Sequence, residues 1–172
     1  MYASHTLIRY VPATVPMKLT DYTDYALRTL IYIAVHPDGL VTIQQIADSF
    51  GIPKNHLIKI VHRLGQEGFL LTLRGRSGGI QLARPASQIG VGAVIRTMEP
   101  DFGIVECFRT GNECLITPVC GLRGVLHEAL QAYFDVLDRH TLEDLVRKPH
   151  ALQRVLDDRA ALVRLPIKTA PA

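Results

Sequence analysis

Three cysteines stand at positions 107, 114 and 120, and the chain has no others. Six residues separate the first two and five the last two, so the thiols crowd into one short stretch. An odd count at this spacing does not suit a disulfide framework. Structural zinc sites favour closer cysteine pairs and four strong ligands. Neither is met here, because the nearest downstream histidine, His127, lies two helical turns past Cys120. Three thiolates with a weak or external fourth ligand match an iron–sulfur cluster instead. Two other readings use the same residues. The thiols can oxidise pairwise without a metal, or they can simply be small apolar side chains packed beneath a loop.

A second chemistry lies upstream. Between Ile52 and Arg84 the basic residues are Lys54, Lys59, Arg63, Arg74, Arg76 and Arg84, against the single acid Glu67. The whole chain carries a net charge of only +3, so everything outside this stretch is slightly negative. A local basic patch on a near-neutral chain is the electrostatic footprint of a polyanion partner.

The elements that must position these groups follow from periodicity. Tyr22, Ala26, Leu30 and Ile33 predict a helix over 20–35, stopped by Pro37-Asp38-Gly39. Thr42-Ile43-Gln44-Gln45 reads as a capping box ahead of the Ile43, Ile46, Ala47, Phe50 stripe. Gly51 allows a tight turn, Pro53 suits the first turn of a new helix, and Leu57, Ile60, Val61 and Leu64 form that helix's apolar face. Two such helices joined by a short turn make a helix-turn-helix. The β-prone run 69–73, the basic turn 74–79 and a second strand over 80–83 then make a wing. The expected fold is mainly α with a small β-hairpin: a winged helix-turn-helix followed by a long dimerisation helix.

On that frame Lys54, Asn55, His56 and Lys59 occupy the off-stripe positions at the front of the second helix, where a recognition helix reads base edges. Arg74, Arg76 and Ser77 form the wing tip, suited to a phosphate ridge or a narrow minor groove. Thr42 and Gln44 open the preceding helix and suit phosphate contact, although capping alone also explains them. Downstream, a helix over 91–98 precedes a stretch, 99–118, with no sustained period. A long amphipathic helix begins near Cys120, with Leu122, Leu126, Ala129, Tyr133 and Leu137 assigned to one side. Thr141 is placed to cap a short helix, and a weak helix is expected around 152–162.

Several stretches together resemble the winged-helix iron–sulfur repressors, the family that includes NsrR and IscR. They are Met17-Lys-Leu-Thr-Asp-Tyr-Thr-Asp-Tyr-Ala-Leu-Arg, Ile46-Ala-Asp-Ser-Phe-Gly-Ile-Pro-Lys-Asn-His-Leu and the wing Arg74-Gly-Arg-Ser-Gly-Gly-Ile. Cys114-Leu-Ile-Thr-Pro-Val-Cys120 looks like the NsrR branch, and Arg123 stands where the IscR branch carries a histidine. The resemblance implies a nitric-oxide-responsive repressor that binds double-stranded DNA at a palindromic operator as a homodimer. It also implies a cluster, [4Fe–4S] ahead of [2Fe–2S], on Cys107, Cys114 and Cys120. Asp24 would complete ligation across the dimer. Asp21 competes for that role, and an acid here also suits the helix dipole without any ligand.

The expected organisation is an extension over 1–16, a DNA-binding unit over 17–86, a cluster loop with dimerisation helices over 87–148, and a tail over 149–172. Translation from Met17 is the alternative that would remove the extension. No apolar run approaches the roughly 18 to 20 residues of a membrane span, and the first 16 residues read poorly as a secretory signal, so a cytoplasmic protein with no membrane partner is expected. With no G-x-S-x-G, phosphate loop or H-E-x-x-H, an enzyme is not expected.

Overall fold

The computed structural model describes residues 18–163; the expected extension over 1–16 and the last residues of the tail lie outside them. Helix α1 (Asp21–Ala34) starts at Thr20, whose hydroxyl accepts from the Thr23 amide, and Asp21 and Asp24 fill its first turn where the dipole favours acids. Helix α2 (Ile43–Phe50) opens on the Thr42–Gln45 capping box and ends at Gly51, whose φ of +68° lets the chain turn into α3 (Lys54–Gln66). Strands β1 (Leu70–Leu73) and β2 (Gly79–Leu82) pair antiparallel, Leu70 opposite Leu82 and Leu73 opposite Gly79. Phe69 precedes the first strand, with its ring in the core, its amide bonded to the Leu64 carbonyl and its own carbonyl accepting from the Ala83 amide. Helix α4 (Val91–Met98), an irregular loop with a 3₁₀ turn at Glu106–Phe108, α5 (Leu122–Asp138), α6 (Leu142–Leu145) and α7 (Pro149–Val163) complete the order.

Two apolar clusters carry this arrangement. The larger joins Leu30 of α1, Ile46 of α2, Leu57, Ile60 and Leu64 of α3, and Leu70 and Ile80 of the hairpin. The smaller gathers Val91, Ile95 and Phe134, with Leu19, Phe102, Leu130, Tyr133 and Leu137 against them. Leu27 packs on both, so α1 is the shared wall. Helix α5 is held on α4 by the Arg96–Asp138 pair, two bonds of 2.6 Å each. That contact is close enough that a Cβ on Gly92 would collide with Asp138.

Two expectations change. The apolar stripe of α5 divides between two faces: Phe134, Leu130, Tyr133 and Leu137 turn inward, while Leu122 and Ala129 are exposed. The stretch from Pro149, expected as a tail with a weak helix, is a 15-residue helix packed on α2, with Leu156 in the main core.

The short α6 supplies a pH handle. Arg147 donates to Asp144 at 2.6 Å and the Thr141 amide donates at 2.9 Å, and together they hold the Asp144 carboxyl down to about 2. An unfolded aspartate titrates near 3.9. Asp144 therefore stabilises the fold fully above about pH 4, and loses that contribution as pH falls toward 2. The thermal midpoint of Asp144→Asn should lie below wild type at pH 7 and converge on it by about pH 2. A gap that stays constant between pH 7 and 2 contradicts this.

Candidate nucleic-acid interface and cysteine loop

Burial divides α3 cleanly. Leu57, Ile60, Val61 and Leu64 are closed off in the core, whereas Lys54, Asn55, His56 and Lys59 are all exposed on its opposite face. Pro53 gives α3 no side-chain cap, so its N-terminal end keeps its positive character. The phenol of Tyr22 donates to the Lys59 carbonyl at 3.3 Å, fixing α3 against α1. Of the six basic residues in this region, Arg63 is paired with Glu67 and Arg84 lies over the Phe69 ring. Lys54, Lys59, Arg74 and Arg76 have no such partner among the described residues.

The wing tip holds Arg74, Arg76 and Ser77, all exposed. Gly75 has φ +114°, and a Cβ on Gly78 would strike the Leu73 carbonyl oxygen. A Cβ on Gly79 would lie 2.7 Å from that of Leu40. Glycine is needed here because the second strand also pairs with Val41, through bonds of 3.0 and 2.8 Å with Ile80. The wing is thus tied to the residue that precedes Thr42. Thr42 is exposed, but its hydroxyl is engaged by Gln45, and Gln44 donates to Asp48 at 2.7 Å. Capping is the visible role of Thr42, and a bond one turn along the helix that of Gln44.

Cys107, Cys114 and Cys120 are all free and half-buried. The hydrogen bonds described within their loop run between its own residues. Asn112 accepts from the Cys114 amide and donates to Thr117, and Glu106 accepts from the Glu113 amide. No three His, Cys, Asp or Glu side chains converge as a metal-binding group among the described residues. The donor set itself is the soft, free thiol set that iron–sulfur ligation requires.

Asp24 is placed one turn into α1, with its carboxylate 2.7 Å from Arg28, whose guanidinium also lies against Tyr25 and Phe50. Among the described residues Asp21 reaches Lys18, at 4.0 Å. Neither lies with the cysteines in the single chain. What does join loop to α1 is Glu99, at the end of α4. Its carboxylate accepts from the Thr20 amide, the Thr20 hydroxyl and the Thr23 hydroxyl, the last at 2.6 Å. Thr23 is fully buried. Sequence reading passed over all three residues. Only the threonine ahead of an acidic first turn hinted at them.

The profile of the Rrf2 family, described as an iron-dependent transcriptional regulator, matches residues 19–148. The chain belongs to the Rrf2 family. The HTH-type transcriptional regulator NsrR of Bacillus subtilis is 52% identical over 142 residues, covering 81% of this chain and 97% of the relative. The regulator of the same name from Geobacillus kaustophilus is 48% identical over 145 residues, covering 83% and 99%. Among solved structures, the oxidised form of Staphylococcus aureus CymR superposes with a TM-score of 0.61 at 27% identity, covering 75% of this chain and 95% of that one. T. potens IscR gives 0.64 at 24% identity, covering 80% and 92%, a likeness of fold. As an Rrf2 member the chain is a winged-helix transcriptional regulator, not an enzyme. No described helix is long and apolar enough to cross a membrane.

Proposed function

We propose that this Rrf2 protein is a cytoplasmic, homodimeric repressor that reads a palindromic operator and releases it in response to nitric oxide. Residues 17–86 read DNA, and 87–148 sense and dimerise. The carrying observation is the partition of α3: four polar and cationic side chains on its free face, and two unpaired arginines on a wing locked to the same unit. Lys54, Asn55, His56 and Lys59 enter the major groove, Asn55 suiting adenine. Arg74 and Arg76, with Ser77, meet the backbone or minor groove, and Thr42 and Gln44 approach a phosphate. In this reading a second, identical set is joined through α5, whose apolar outer face is uncovered among the described residues.

Cys107, Cys114 and Cys120 would hold an iron–sulfur cluster, [4Fe–4S] in preference to [2Fe–2S], with Asp24 or Asp21 contributed across the dimer. When bound, the cluster supplies iron that reacts with nitric oxide. Asp24 pairs with Arg28 through Oδ2, which leaves Oδ1 as the oxygen that would ligate. The three thiols fix the loop, Glu99 passes the loop's position to the cap of α1, and α1 carries it through Leu27, Leu30 and the Tyr22 tether to α3. Were ligation lost, the loop would no longer be tied together through its thiols, and the Glu99 contact to α1 is the route by which the two reading helices would be respaced. The resemblance to the NsrR branch supports nitric oxide as the signal. The oxidised CymR structure favours a second reading, pairwise oxidation of these thiols, in which the anaerobic protein carries no inorganic sulfide.

Arg76→Ala tests the DNA half. Losing one phosphate contact should weaken binding about five-fold per protomer at 0.15 M salt, with iron content unchanged. Mobility shifts at several salt concentrations measure it, and unaltered binding removes the wing from the interface.

A further inference from the structure

The match to the family model ends at residue 148, directly before α7. Its position is specific. Pro149, His150 and Gln153 share a cavity wall with Gly39 and Gln45, beside the start of α2. Nine residues on from His150, the Arg159 Nη2 lies 3.4 Å from where a Cβ on Gly51 would sit. Gly51 is itself nine residues past Thr42, and nine residues of helix rise about 13 Å. The two helices thus run side by side in the same direction. Helix α7 ends beside the turn that leads into the recognition helix.

Its anchorage is firm. Leu156 is buried in the main core with Leu152 against it. His36 donates from Nδ1 to the Tyr32 carbonyl and sets Nε2 3.4 Å from Asp157. Arg159, in contrast, is exposed and has no carboxylate partner among the described residues. It also marks a change in charge: from Arg159 to the C-terminus the sequence has Arg159, Arg164 and Lys168 and no acid.

We infer that α7 is a DNA-backbone clamp: Arg159, held beside the Gly51 turn, contacts a phosphate next to the recognition helix and adds one sequence-independent cationic contact per protomer. This rests on the DNA-reading assignment above. A cation on a docked helix is positioned in advance and needs little ordering on binding, and the closest approach of its helix-turn-helix unit to a duplex is at the front of α3.

The experiment uses the full-length protein, purified without oxygen, on a 30-base-pair duplex selected by it from random DNA and on an unselected duplex of equal length. Arg159→Gln should weaken both about 30-fold for the dimer at 0.15 M salt and only about three- to four-fold at 0.5 M, with the salt slope shallower by about 1.8. Arg159→Lys should restore most of the affinity. Unchanged affinity and slope in Arg159→Gln, while Arg76→Ala still weakens binding, overturns the clamp alone. A lowered thermal midpoint with an unchanged slope also overturns it, making Arg159 a packing residue. If the wild-type protein selects no duplex, the DNA-reading assignment itself fails.

Discussion

Cys114→Ala should emerge from anaerobic purification without iron or inorganic sulfide, and its DNA affinity should no longer change when nitric oxide is added. The effect is expected to be near complete, because three thiolates leave no spare ligand. The substitution is also structurally mild. Cys114 is half-buried, belongs to neither apolar cluster, and holds its loop through main-chain bonds that alanine keeps: its amide to Asn112 and its carbonyl to the Thr117 amide. The unfolding midpoint of the variant should therefore match that of metal-free wild type. Allosteric coupling of the usual size, about 1 to 3 kcal/mol, separates the two DNA affinities by about 5- to 150-fold. The variant should sit at the value that wild type reaches after nitric oxide. Full iron and sulfide in Cys114→Ala would remove that residue from the ligand set. Wild-type protein that carries iron but keeps its DNA affinity under nitric oxide would leave the cluster and remove the signal.

The DNA-reading half was legible because each of its signals is local. A capping box, a glycine turn and a 3.6-residue stripe lie within one or two turns of each other, and the structure places Thr42, Gly51 and Leu57 to Leu64 as those signals require. The half that carries the cysteines was not, because what organises it is distant in sequence. Glu99 meets Thr20 across 79 residues, and no local pattern announces an acid that caps a helix from so far away. Helix α5 misled for a different reason. It has apolar residues on two adjacent faces, and a single-stripe reading merges them into one. Only packing on α4 separates the inward Phe134 and Leu130 from the outward Leu122 and Ala129. Helix α7 mixes acids and bases along its length, so its apolar edge, Leu152 and Leu156, gains meaning only from the α2 surface it covers.

That outward face of α5 gives the second large effect: Val125→Asp should turn the dimer into monomers. Leu122, Val125, Ala129, Ala132 and Val136 recur at alternating steps of three and four, the seam of a helix that pairs with another. Leu122, Val125 and Val136 are 57%, 63% and 47% exposed in the single chain, although the same helix already buries Phe134 on its other side. Nothing among the described residues covers this seam, and in the proposed dimer a second copy covers it. Because a symmetric dimer uses the same patch twice, one substitution places a carboxylate from each protomer in an apolar contact, where desolvation opposes association. The monomer should keep its fold, since neither apolar cluster includes Val125. Gln131→Asp, on a side of α5 that belongs to neither face, should remain dimeric. Loss of the dimer removes the gain from joining two half-site contacts, so operator affinity should fall by about 10² to 10⁴. Sedimentation read beside DNA binding decides the point. A Val125→Asp protein that still sediments as a dimer places the interface elsewhere. A monomer with undiminished operator affinity would mean that one reading head suffices, and that the spacing between two heads cannot be what nitric oxide alters.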